Sequence, residues 1–196
     1  MTINHIKPFA KYAGIATVCI EWAALLIYYF QAPEYFGGKY PISYYASLPQ
    51  THWVFAVFYT LAAINFWIFA KHHLTKLYRT PLRIFAWSMI LFASMALFPF
   101  NPNDLTSTVI HSILAYSMGI AFLIGMYLLA KGTDDKHILR VTVMAITLNT
   151  LLTLAFVLAP KDSDLIFKLE AGSWFVCQLW IVWISYQAYQ RTKRIA

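Results

Sequence analysis

Six long apolar blocks constrain the fold of this chain more than any other feature. They cover about residues 12–30, 52–70, 82–99, 107–130, 138–159 and 170–188. Each block reaches or approaches the ~20 residues that an α-helix needs to cross a hydrocarbon core of ~30 Å. None alternates apolar and polar residues as a barrel strand does, and only helices or closed barrels satisfy the backbone in lipid. The pattern predicts an all-α fold, a single integral membrane domain over 1–196 built as a six-transmembrane-helix bundle.

Composition supports this class and argues against nucleic-acid binding. Charged residues make up only 12% of the chain, against roughly 25% in soluble domains. The net charge of +7 comes from lysines and arginines at the ends of the apolar blocks, where they anchor to lipid headgroups instead of forming a basic stripe for nucleic acid. Membrane lipids are therefore the expected partners, and homo-oligomerisation stays open. Cys19 and Cys177 both fall inside blocks, so we expect packing residues and no disulfide or metal pair.

The basic residues also predict an orientation. Twelve of the 15 lysines and arginines fall in, or within three residues of, the N-terminal segment, the loops after the second and fourth blocks, and the C-terminal segment. The remaining three, Lys39, Lys161 and Lys168, fall in the opposite loops. Because basic residues concentrate on the cytoplasmic side of a membrane, both termini are expected in the cytoplasm. The expected location is a bacterial inner (plasma) membrane.

Three polar side chains lie deep inside apolar blocks. Glu21 is tenth in the first block, which puts it about 14 Å from the inner edge at 1.5 Å per residue, and Asn149 and Gln178 lie at about 16 and 18 Å. A charged carboxylate at that depth costs on the order of 3 kcal/mol, so Glu21 must face protein or water. We expect one midplane network of Glu21, Asn149 and Gln178. Two roles stay open for it, a structural hydrogen-bonded clamp and a proton or substrate site.

A second polar layer is predicted at the outer end of the fourth block, in the stretch FPFNPNDLTSTVIHSILAY. Asp104 precedes a helix start, where a carboxylate caps free amides and complements the helix dipole. Capping alone accounts for that residue. Asp104, Ser107 and His111 nevertheless have i, i+3, i+7 spacing and share one stripe of the helix. They are therefore also candidates for a binding site.

Further polar residues are expected at the same height as this stripe. Glu170 and His52 lie near the outer starts of the last and second blocks. The loop 31–51 contains Gly37-Gly38 and several prolines and tyrosines, so it is expected to be no continuous helix and to fold over the outer mouth of the bundle. These helix ends predict an outward-facing cavity under that loop, lined by two histidines and two carboxylates.

A resemblance to a known family rests on three features of the chain. They are the segments YPISYYASLPQTHWVF and LFPFNPNDLTSTVIHSILAYSMGIAF and a glutamate near the start of the last block. The chain resembles the bacterial six-span membrane family of unknown function that is related to the eukaryotic DRAM and Sfk proteins. The resemblance implies a six-helix bundle with cytoplasmic ends and, from the eukaryotic relatives, a connection with lipid organisation and membrane trafficking. By matching position, the residues it marks are Ser43, Pro99, Asp104, His111 and Glu170. Bacterial members often carry an arginine after that glutamate, where this chain has Ala171.

The leading functional hypothesis is a non-enzymatic membrane protein that binds a lipid or another amphipathic ligand in the outward-facing cavity. Its predicted ligand-binding residues are His111, Asp104, Glu170 and His52, with Ser43 added by the resemblance. One alternative is an intramembrane hydrolase or transferase that uses His111 and carboxylates. Another is a proton-coupled transporter that uses Glu21. No HxxxH, HExxH, CxxC or GxSxG motif is present, so no cofactor and no metal site is predicted.

Overall fold

A computed structural model describes residues 8–38, 40–72, 76–101, 103–160 and 163–195. Within these ranges the chain has no β-strand, and its α-helices are α1 (Pro8–Gln31), α2 (His52–His72), α3 (Lys76–Ala93), α4 (Leu105–Gly132), α5 (Lys136–Leu158) and α6 (Leu165–Ile195). Six of the helices in the described ranges are long and apolar enough to cross a membrane. The predicted all-α bundle is confirmed, and the chain is a multi-pass integral membrane protein. The cytoplasmic position of the termini stays a prediction.

The helices form a ring in chain order. Each helix packs against the next one, and α1 packs against α6 to close the ring. Contact is closest among α1, α2, α3 and α4, where aromatic side chains such as Tyr59, Phe85 and Phe92 fill the core. On the other side of the ring, α4 and α6 stand apart, and a cavity occupies the space between them.

Polar capping residues explain why three helices begin earlier than predicted. The Asp104 carboxylate accepts from the Ser107 amide at 3.2 Å, so α4 begins at Leu105 and not at 107. Asp135 caps α5 in the same way through the amides of His137 and Ile138, so that helix begins at 136 and not at 138. The last helix begins at 165 and not at 170, and the Ser163 hydroxyl accepts from the Leu165 amide. The predicted bounds followed apolar residues, whereas the hydrogen bonds extend each helix to a polar residue.

The predicted third helix, 82–99, is wrong at both ends. The helix starts at Lys76 and contains Pro81, and its regular part ends at Ala93. A 3-10 helix, Ser94–Leu97, continues the chain toward Pro99. A proline restricts the residue before it to extended conformations, so the helix cannot run to 99.

The 32–51 loop covers one end of the bundle, which we call the loop end. It contains two short 3-10 helices, Pro33–Tyr35 and Ile42–Ser47, joined through Gly37 at φ 79°. The Tyr45 ring stacks on Tyr28 of α1 with centroids 4.6 Å apart. The loop is therefore a packed part of the bundle and no continuous helix, as its glycines and prolines predict.

Glycines on α1 and α4 permit close helix contacts. A Cβ added to Gly125 of α4 would lie 2.4 Å from Cε1 of Phe85 on α3. A Cβ added to Gly14 of α1 would lie 1.8 Å from the Ser185 hydroxyl on α6. Gly119 has no atom within 4 Å of such a Cβ. Small residues in membrane helices let neighbouring helices approach closely, and Gly125 has this packing role whereas Gly119 does not.

Gly125→Ala is expected to lower the free energy of unfolding by about 1–3 kcal/mol, because the new methyl group forces the buried Phe85 ring to move. Reversible unfolding in detergent measures the change. Gly119→Ala adds the same methyl group in open space and serves as the matched control, with an expected change within about 0.5 kcal/mol. Equal effects of the two substitutions would contradict the packing contact.

Candidate ligand-binding cavity

A cavity of about 870 Å³ lies between α4 and α6 and reaches from the loop end toward the middle of the bundle. One wall is α4, from His111 to Leu123, and the opposite wall is α6, from Ile166 to Ile181. Residues of α3 and α5 complete the sides, and Tyr40 to Tyr44 of the 32–51 loop cover one end. Most of the surface is apolar, and its polar groups fall into two clusters, one under the loop and one deeper.

Glu170 organises the cluster under the loop. Its carboxylate accepts a hydrogen bond from the Ile42 amide, and the backbone and hydroxyl of Ser43 also donate to it. Ile42 and Ser43 are the first two residues of a 3-10 helix that has no cap from its own segment. Glu170 therefore supplies the N-terminal cap of this short helix from α6 and fixes the loop over the cavity.

His111 lines the same end of the cavity from α4 and is only 5% exposed. Its Nδ1 lies 2.9 Å from the carbonyl oxygen of Phe98. A carbonyl only accepts, so Nδ1 carries the hydrogen, and the lone pair of the neutral ring is on Nε2. Nδ1 thus positions the His111 ring, and Nε2 is the atom that can accept a hydrogen bond.

The polar stretch before α4 is held by its own side chains. The Ser107 hydroxyl donates to the carbonyl of Pro99 at 2.7 Å, and that of Thr108 donates to the carbonyl of Asn101 at 2.6 Å. The Phe100 amide donates to Ser47 at 2.6 Å, which joins this stretch to the 32–51 loop. The connection between α3 and α4 and the 32–51 loop thus form one cover over the cavity.

Glu21 and Gln178 form the deeper cluster. Gln178 Nε2 donates to Glu21 Oε2 at 2.8 Å, which joins α6 to α1. Glu21 is 1% exposed, and its second oxygen, Oε1, has no hydrogen-bond partner among the described residues. Glu21 is one of the residues that line the cavity. The structure therefore contains a buried acceptor atom in a side chain that borders the cavity.

Asn149 lies next to this pair but bonds to other atoms of α6. Its Nδ2 donates to Cys177 Sγ at 2.8 Å and to the Ser173 carbonyl at 3.3 Å. The Thr153 hydroxyl approaches Asn149 Oδ1 at 3.4 Å. The predicted network of Glu21, Asn149 and Gln178 is thus two adjacent hydrogen-bonded groups, both at the cavity.

Asp104 and His52 lie outside the cavity lining, which corrects the prediction that four helix ends meet there. Asp104 is exposed and caps α4 through the Ser107 amide. His52 is also exposed, and its Nδ1 lies 2.9 Å from the Pro49 carbonyl at the start of α2. Both residues lie at helix starts next to the cover, where they bond to local backbone groups, and neither lines the cavity.

Sequence reasoning missed the stripe of α6 that faces the cavity. Ser173, Cys177 and Ile181 line it together with Glu170 and Trp174. These positions follow a spacing of three or four residues, which places them on one face of a helix. Extending the face of Glu170 along α6 would have identified them.

The described ionisable side chains of the cavity lining include acids but no strong bases. In the part of the chain that the structure describes, its ionisable side chains are carboxylic acids, His111, Cys177 and tyrosines, with no lysine or arginine. No three His, Cys, Asp or Glu side chains among the described residues converge as metal ligands. The lining therefore offers acidic groups, neutral hydroxyl and amide groups and aromatic faces, with no described cation to balance an anionic ligand.

The residues that the family resemblance marks gather at the loop end. Ser43, His111 and Glu170 line the cavity, and the Pro99 carbonyl accepts from Ser107 in the adjoining cover. The proposed relation to the DRAM and Sfk-related family stays a prediction. Comparison of the chain with protein-family models, curated proteins and solved structures finds no match.

Proposed function

We propose that this protein is a non-enzymatic binder of a lipid or another amphipathic molecule, held in the cavity between α4 and α6. The observation that carries the proposal is a volume of about 870 Å³ with apolar walls and two separate polar clusters. Small-molecule sites in proteins are concave, mostly apolar and ~300–1,000 Å³, with a few polar groups that orient the ligand.

A lateral opening supports an occupant that comes from the bilayer. Tyr116 and Ile120 line the cavity and are 54% and 60% exposed on the surface of α4. Thr153 lines it from α5 and is also exposed. Side chains that belong to both the cavity and the outer surface mark a gap between these two helices, through which an acyl chain reaches the interior without crossing water.

The deeper cluster at Glu21 is one proposed site for a polar group of the ligand, and the cluster under the 32–51 loop is the other. His111 presents an acceptor nitrogen there, and Ser43 and Glu170 line the same region. The distribution of basic residues assigns this end to the outer face, so the ligand would come from the outer leaflet. The hydrolase or transferase hypothesis and the proton-coupled transport hypothesis stay predictions.

Filling the cavity tests this function. Gly119→Phe places a phenyl group at a lining position whose added Cβ meets no atom within 4 Å. We expect the purified variant to fold but to retain less than about a tenth of the lipid or amphipath that co-purifies with the wild type, because the ring occupies the ligand volume. Mass spectrometry of organic extracts from protein in detergent measures the retained molecules.

Ile124→Phe is the matched control, because Ile124 is on the same helix, is 47% exposed and lies outside the lining. It should retain the wild-type amount of bound molecule. If Gly119→Phe has wild-type Tm and also retains the wild-type complement, the cavity is not the binding site.

A further inference from the structure

The orphaned oxygen of Glu21 indicates what the deeper end of the cavity recognises. A buried polar atom without a partner costs about 1–3 kcal/mol, more when it is charged, and such atoms are rare in folded proteins. Glu21 Oε1 is one of them, and its side chain is 1% exposed and lines the cavity. Gln178 holds the other oxygen, so the orientation of the carboxyl group is already fixed.

The surroundings of Glu21 favour a positively charged donor. No described lysine or arginine lines the cavity, so a carboxylate there has no protein cation to pair with. Aromatic rings stand close by: Trp174 lies one helical turn before Gln178, and its ring is 5.1 Å from that of Phe92, with both rings in the lining. Aromatic faces attract ammonium groups, more strongly where water is excluded.

We infer that the ligand is an amphipathic amine, whose ammonium group donates to Glu21 Oε1 beside Trp174 and whose apolar chain lies along α4. This inference rests on the proposed amphipath-binding function and adds the headgroup chemistry. Anionic amphipaths are excluded by the two carboxyl groups of the lining, Glu21 and Glu170. Neutral amphipaths retain the apolar contacts but lose the charge-assisted bond.

The test compares three ligands of equal chain length on the wild-type protein in a neutral detergent: decylamine, decanol and decanoate. The rise in Tm with ligand concentration gives each dissociation constant, since a ligand that binds only the folded state stabilises it by mass action. We expect decylamine to bind about 10- to 100-fold tighter than decanol, which is the effect of one buried charge-assisted hydrogen bond. Decanoate should bind more weakly than decanol.

Glu21→Gln keeps the shape of the side chain and is expected to remove the preference of decylamine over decanol. Glu34→Gln removes a carboxylate from an exposed position of the 32–51 loop and should leave the preference intact. Labelling of Cys177 in a Cys19→Ser background gives a second readout, because Cys177 lines the cavity. Decylamine should slow this labelling at lower concentrations than decanol.

The outcomes separate the inference about the amine headgroup from the proposed amphipath-binding function. If all three ligands bind equally well, or if decylamine keeps its preference in Glu21→Gln, the amine inference is wrong although the amphipath-binding function stands. If none of them binds and none protects Cys177, the inference and the proposed function are both contradicted. Should Glu21→Gln fail to fold, the ranking of the three headgroups on the wild type decides alone.

Discussion

Glu170→Ala is expected to lower the free energy of unfolding by about 2–5 kcal/mol, the largest single effect that the structure predicts. The carboxylate accepts from the Ile42 amide and from Ser43 under the 32–51 loop. Both residues are buried, so alanine leaves their two backbone amides without partners, each at a cost of about 1–3 kcal/mol. Chemical unfolding in detergent, followed by tryptophan fluorescence, measures the loss.

Glu170→Gln is the matched control for this prediction. Its side-chain oxygen still accepts one hydrogen bond from the loop, so the expected loss is about 1 kcal/mol. Proteolysis adds a local readout, because the loop of the alanine variant should be cut faster than that of the glutamine variant. A loss below about 1 kcal/mol in Glu170→Ala would show that the loop is held mainly by its aromatic contacts and not by this cap.

The helices were predictable because each apolar block is long enough to cross the bilayer, and lipid permits few other structures. Their ends were less predictable, because hydrogen bonds and not hydropathy set them. Asp104 and Asp135 extend α4 and α5 by capping amides, and Pro99 stops a helix that the apolar pattern continues. The length of an apolar block therefore predicts that a helix crosses the membrane, and the polar residues at the edge of the block determine where that helix begins or ends.

The depth of each site residue along its helix was predictable, but the direction in which its side chain points around the helix axis was not. Counting 1.5 Å per residue placed Glu21 and Gln178 at similar depths, and the structure joins them at 2.8 Å. Asn149 has the same depth but bonds to Cys177, the neighbour of Gln178, because successive residues on a helix point about 100° apart. His52 and Asp104 lie at the starts of α2 and α4 but bond to nearby backbone groups, and neither lines the cavity. Rotation depends on which helices pack together, and a single sequence does not contain that information.

Gln178→Leu is expected to lower the free energy of unfolding by about 2–4 kcal/mol, because it removes the hydrogen-bond partner that Glu21 has among the described residues. The double substitution Glu21→Leu with Gln178→Leu is expected to lie within about 1 kcal/mol of the wild type, since no buried polar atom of the pair remains. Unfolding of both single variants and the double variant forms a cycle whose coupling energy should be at least about 2 kcal/mol.

This cycle decides between the two roles that the sequence left open for Glu21. A clamp whose hydrogen bond holds α1 to α6 predicts that the double variant stays about as destabilised as Gln178→Leu alone, because both substitutions remove the same bond. A binding site predicts that the double variant recovers stability but loses the preference for decylamine over decanol. In that case the buried carboxyl group serves the ligand and lowers the stability of the fold. Functional groups often impose such a cost, since a well-packed apolar pair is at least as stable as a buried polar one. Recovery of stability with an unchanged ligand preference would contradict a binding role for Glu21.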